Sequence, residues 1–204
     1  KTLASMKILV ISPKFHPIIG GGESFILNSL DQLHNAGHEV SVAVESHPGR
    51  NASEYPYPVY EILGLSDTTL EILAAVDGLS KLISDVKPEI LHVHGYFALL
   101  AVGLANHLRI PVVASVHSTP VWEKRIIGGM HNFETELAFA REVLDIARPR
   151  ILTGANEVYT VAAEKIVQGK VEVKFFPYPI QTAFYIHHDS TIYRGRFNLG
   201  RNDI

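Results

Sequence analysis

Three consecutive glycines, Gly20, Gly21 and Gly22, followed by Glu23, stand between a short apolar run and a stretch with apolar residues at helical spacing. A glycine loop that opens a helix presents backbone N–H groups without intrahelical partners, at the positive end of the helix dipole. Such a place suits phosphate. Three histidines form a second group: His92 and His94 in the run 91–96, and His117 at the end of the apolar run 112–116. Imidazole can hydrogen-bond a hydroxyl, carry a proton or ligate zinc. Two residues apart on a strand, His92 and His94 share one face; one suits a core-facing or helix-facing place, while His94, beside Gly95, reaches the cleft.

The elements that must position these groups alternate. Residues 8–11 read as a strand buried on both faces, ended by Pro13 and Pro17. Phe25, Ile26, Leu30 and Leu33 mark a helix that Gly37 stops, and 38–44 is a second strand. Residues 45–58, rich in Pro, Gly, Ser, Asn and Tyr, read as a surface loop. Strands are expected at 59–63, 89–93, 111–116, 157–161 and 171–176. Helices are expected over 68–86, 96–108, 134–147 and 163–167. This alternation predicts an α/β fold, a Rossmann-like doubly wound, mostly parallel sheet with helices on both faces. Ligands then gather at the carboxyl ends of the strands.

The 204 residues suffice for one such domain with a full core. With 47% hydrophobic residues, 19% charged residues and a net charge of −3, neither disorder nor nucleic-acid binding is indicated. The absence of cysteine removes disulfides, thiolate metal sites and a cysteine nucleophile together. It accords with a reducing compartment, and a soluble, cytoplasmic protein is expected. Residues 1–5 read as an expression remnant or ragged start, since no signal-peptide core follows.

Two common phosphate motifs fail here. The glycine spacing is not G-x-G-x-x-G, Glu45 is the nearest acid to the end of the second strand, and no G-K-[ST] follows. The segment instead resembles the opening of the family 4 glycosyltransferases of GT-B fold, with a G-G-x-E at the first helix and an xxGHeV at the second strand. Gly20-Gly21-Gly22-Glu23 and Gly37-His38-Glu39-Val40 match both. Phe175-Phe176-Pro177-Tyr178-Pro179-Ile180 stands where that family carries a P-N-G-(I/V)-D turn, and the run 193–200 resembles the linker into its second domain. The resemblance covers nearly the whole chain and about half of such an enzyme.

It implies an N-terminal, acceptor-side domain over 6–192, with 193–204 leading into a C-terminal domain that carries an E-x₇-E element. The implied activity is retaining transfer of a sugar from a nucleotide-sugar donor to a sugar or lipid-linked acceptor, without metal or cofactor, and the isolated fragment is expected to be inactive. Gly20, Gly21 and Gly22 would meet the donor diphosphate. His117 would lie beside the transferred sugar; Ser118 follows it where the family usually has aspartate. Glu23, His94, Tyr96 and Ser118 would contact donor or acceptor sugar, and Lys14, Phe15 and His16 the acceptor. For Glu23 a second reading stands: an acid in a first helical turn is stabilised by the helix dipole alone. A zinc site of His92, His94 and His117 is the less favoured reading of the histidines. Trp122, Lys124 and Arg125 suit contact with an anionic membrane or a lid, and a homodimer through the uncovered face is a further expectation. The alternatives are a non-catalytic sugar-binding or scaffolding domain and a nucleotide-sugar epimerase.

Overall fold

A computed structural model describes residues 4–65, 72–117, 133–154 and 156–177. Its seven strands are β1 (Lys7–Ser12), β2 (Glu39–Val44), β3 (Val59–Glu61), β4 (Ile90–His94), β5 (Val112–Val116), β6 (Ile151–Gly154) and β7 (Glu172–Phe175). Among the described residues five α-helices connect them: α1 (Gly21–Asn35), α2 (Ile72–Val86), α3 (Tyr96–Ala105), α4 (Phe133–Ala147) and α5 (Glu157–Val167). All pairings are parallel, in the order β3-β2-β1-β4-β5-β6-β7.

That order reverses between β1 and β4. The chain moves one way from β1 to β3 and the other way from β3 to β7, so right-handed crossovers put α1 on one face and α2 to α5 on the other. The two cores follow. Beneath α1, Ile8, Val10, Val40, Val42 and Val44 meet Phe25, Ile26 and Leu30. On the opposite face Leu9, Ile11, Leu91, Val93, Ala114, Val116 and Leu152 meet the buried stripes of α2 to α5. The strands are therefore apolar on both sides, as the runs of Val, Ile and Leu require. A crevice at the carboxyl ends, where the strand order reverses, is the place such sheets offer a ligand.

α1 is bounded as its glycines dictate. Gly37 has φ +89°, and the bonds Gly37 N–H to His34 O and His38 N–H to Leu33 O close a Schellman turn. One expected element is corrected. Residues 157–161 are the first turns of α5, not a strand, and the sixth strand is Ile151–Gly154 instead. The Asn156 side chain caps α5 by accepting from Tyr159 N–H at 2.8 Å, a local bond that outweighs the strand preference of Val158, Tyr159, Thr160 and Val161.

Candidate functional site

β1, β4 and β5 deliver their carboxyl ends side by side, and the start of α1 faces them. Ser24 N–H is the first to reach back along the helix, to Gly20 O at 3.0 Å, which leaves the N–H groups of Gly21, Gly22 and Glu23 without a carbonyl four residues earlier. Gly20 is extended, with φ −170°. A Cβ built on it would run into Oε2 of Glu23, so the carboxylate folds back over the helix start. A Cβ on Gly21 would meet nothing within 4 Å, and one on Gly22 would touch the His117 ring at 3.7 Å. The glycine loop and His117 are thus direct neighbours.

At the ends of β4 and β5, His94 Nδ1 lies 2.9 Å from His117 Nε2. Phe25 of α1 sets its ring edge against both, with centroids 5.8 Å from His94 and 5.0 Å from His117. His94 is 2% exposed, so it stands behind His117 and does not line the cleft as its spacing suggested. Burial holds His94 well below the usual histidine range, helped by the neighbouring His92 and His117. Burial also lowers His117, against the opposing pull of the Glu23 carboxylate. Both shifts favour the neutral imidazole. His92 shares the face of His94, ring centroids 4.4 Å apart, and turns to a different partner. Its Nε2 pairs with Ser115 Oγ at 2.8 Å, and Ser115 Oγ with Thr153 Oγ1 at 2.6 Å, which ties β4, β5 and β6 together. No group of three or more His, Cys, Asp or Glu among the described residues is arranged to hold a metal ion.

The β1–α1 loop separates the three residues expected to meet an acceptor. Lys14 is exposed, its carbonyl accepting from Ser12 Oγ at 2.7 Å. His16 is partly buried, with Nδ1 2.7 Å from the Tyr55 hydroxyl. Phe15 is corrected: it is 0% exposed, packed in the smaller core with its ring 5.3 Å from Tyr55, because an apolar ring at the strand end gains more from that core than from water. Arg50, which sequence reasoning passed over inside a loop of ordinary composition, fastens this region. It donates to His16 O at 3.0 Å, Glu45 O at 2.6 Å and Glu61 Oε1 at 2.8 Å. Phe25 was likewise legible only as a core position. Tyr96 opens α3 and is partly buried against the larger core, just after Gly95, whose φ of +85° favours glycine. Ser118, Trp122, Lys124 and Arg125 lie outside the described residues, as does everything from 178 onward.

Residues 19–162 of the chain match the family described as Glycosyltransferase Family 4. The chain belongs to this family. As a family 4 glycosyltransferase domain it has the GT-B Rossmann-like architecture, and it corresponds to the N-terminal domain of such enzymes. Among solved structures it is similar to a sucrose-phosphate synthase from Thermosynechococcus elongatus, with TM-score 0.72 and 12% identity over 96% of this chain and 53% of that one. Anabaena HepE, solved with UDP and glucose, is similar at TM-score 0.67 and 16% identity, over 96% of this chain and 50% of that one. A UDP-N-acetylglucosamine 2-epimerase from Rickettsia bellii follows at TM-score 0.61 and 8% identity, over 97% and 52%. At such identities the likeness is one of fold. This chain spans about half the length of these proteins. No curated protein matches it in sequence. No helix among the described residues is long and apolar enough to cross a membrane.

Proposed function

We propose that the chain is the acceptor-side domain of a retaining glycosyltransferase, which moves a sugar from a nucleotide-sugar donor to a hydroxyl of an acceptor held near the β1–α1 loop. The observation that carries this reading is the contact between the start of α1 and His117, with a Cβ on Gly22 only 3.7 Å from the imidazole. In the reaction the bond from the anomeric carbon to the diphosphate oxygen breaks and its electron pair passes to the diphosphate. On the same face of the sugar the acceptor oxygen forms the new bond, and its proton passes to the departing diphosphate oxygen. Charge develops on the leaving diphosphate, and the free N–H groups of the first turn of α1 are aimed at such charge. His117, neutral, hydrogen-bonds the transferred sugar. No resident metal or cofactor enters this scheme; the nucleotide sugar is a substrate. The family assignment favours transfer over the epimerase reading.

Two substitutions test it in an enzyme that joins this chain to a second GT-B domain. Gly21→Val adds a side chain into open space, so the domain should stay folded while transfer is abolished by collision with the diphosphate. His117→Ala should lower kcat by about two to three orders of magnitude, the scale of one lost preorganised donor. A sugar-binding module would be indifferent to Gly21. Intact transfer in a folded Gly21→Val variant overturns the phosphate assignment.

A further inference from the structure

The amino-end pole of the sheet, opposite the glycine loop, gathers three arginines around one groove. Its volume is about 620 Å³, within the range of small-molecule sites, and its lining sets Arg109, Arg148 and Arg150 beside the apolar Ile110 and Ile146. Packing brings these residues together. Gly103 of α3 passes so close to α4 that a Cβ there would sit 2.8 Å from Ala147 Cα, so the carboxyl ends of both helices converge on this place. The Asn106 side chain accepts from Ile110 N–H at 2.9 Å and donates to Ile110 O at 2.7 Å, which fixes the turn that carries Arg109. Arg150 is held by its own backbone N–H, which donates to Val112 O at 2.8 Å.

The charge gathered there is unmatched. Among the described residues none of the three guanidinium groups forms an ion pair, and their one side-chain hydrogen bond is long, from Arg148 Nε to Asp145 O at 3.3 Å. Asp145, the acidic side chain of the lining, is engaged elsewhere: Lys170 Nζ donates to its two carboxylate oxygens at 2.9 and 3.0 Å. The negative ends of the α3 and α4 dipoles favour cations here, which offsets part of the mutual repulsion but gives the forks of Arg109 and Arg150 no acceptor. The backbone is strained as well. Arg109 and Arg148 lie at φ +54° and +46°, in the left-handed region where glycine or asparagine is less strained. Planar guanidinium forks match phosphate oxygens, and a phosphate ester offers more acceptor oxygens than a carboxylate does. We propose that this groove binds a phosphate ester, with the phosphate on the three arginines and the organic part against Ile110 and Ile146. The groove and the crevice lie at opposite ends of the strands, so this site stands whether or not the crevice holds a donor. A soluble ester and a phospholipid headgroup share the chemistry.

Titration of the 204-residue chain with phenyl phosphate, followed by amide NMR, should shift the signals of Arg109, Arg148 and Arg150, and the affinity should fall as salt is raised. Phenyl glucoside, with the same ring and no charge, should leave those signals unmoved; equal shifts with it overturn the proposal. Arg109→Asn, Arg148→Asn and Arg150→Gln combined should lower the affinity by about 10-fold or more, the scale of lost hydrogen bonds to a charged group. The thermal midpoint of that variant should hold or rise, because asparagine relieves the two left-handed positions. Phosphatidylglycerol vesicles that sediment the chain but not the variant, with phosphatidylcholine vesicles inert, assign the ester to a phospholipid. Phenyl phosphate binding without vesicle binding assigns it to a soluble molecule. A chain that answers neither probe, or a folded variant that binds as the parent does, overturns the proposal. Should the variant fail to fold, the titration of the parent chain decides by itself.

Discussion

Gly20 and Glu23 show at the residue scale why a motif can be read before its geometry. The Glu23 carboxylate occupies the volume that a Cβ on Gly20 would take, so any other residue there would make that side chain move, and the sequence displays both residues at the right separation. What it does not display is which histidine faces out. His94 and His117 are of one type, and only the packing of Phe25 and the depth of β4 make one a buried support and the other a partly exposed group. His92 gives a stability prediction of its own. Burial, with a smaller push from His117, lowers it to about 4 in the folded chain, while the unfolded chain titrates near 6.5. Between those values the unfolded state binds more protons than the folded one, so stability falls as pH drops from about 6.5 toward 4 and levels off below. Urea unfolding at pH 7 and pH 4.5 should show the loss, and His92→Gln should reduce its slope. An unchanged slope in that variant would assign the acid sensitivity elsewhere.

Most elements were legible because parallel strands buried on both faces are continuous apolar runs and the helices carry their stripes at helical spacing. The failure at 157–161 is instructive at the element scale. Val158, Tyr159, Thr160 and Val161 favour a strand locally, yet Asn156 caps a helix and Gly154 lets that helix lie on the sheet: a Cβ there would meet Thr160 N at 2.6 Å. Contacts of this kind have no periodic signature. The crossing of α3 and α4 uses the same device, since a Cβ on Gly103 would sit 2.8 Å from Ala147 Cα. Valine at 103 would force the helices apart. Gly103→Val should therefore cost about 1–3 kcal/mol of stability in urea, more than any propensity it gains over glycine. A neutral outcome would mean that the helices can separate freely, and the close crossing would lose its structural importance.

For the whole molecule the decisive feature is that the site is one-sided. The N–H groups of α1, the β1–α1 loop and His117 all approach the crevice from this domain, and the apolar residues at the same end include Ile19, 88% exposed, together with half-exposed Phe175 and Phe176. Clefts elsewhere do not relocate the chemistry. One of about 620 Å³ lies at the amino ends of β5 and β6, lined by Arg109, Arg148 and Arg150, away from the glycine loop. A donor diphosphate held only by backbone N–H groups at one helix end remains open to water, where each such interaction is weak compared with the same contact in a closed site. The proposed function therefore requires a second domain to cover the crevice and complete the diphosphate and nucleoside contacts. The 204-residue chain, incubated with a panel of nucleotide sugars and sugar acceptors, should give no transfer. Under the proposed function, added inorganic diphosphate should still shift the NMR amide signals of Gly21 and Gly22, because unpaired N–H groups at a helix start favour an anion. Addition of the second domain should then confer turnover that Gly21→Val abolishes. Turnover by the chain alone would show that the crevice is sufficient as it stands, and the two-domain reading would fall.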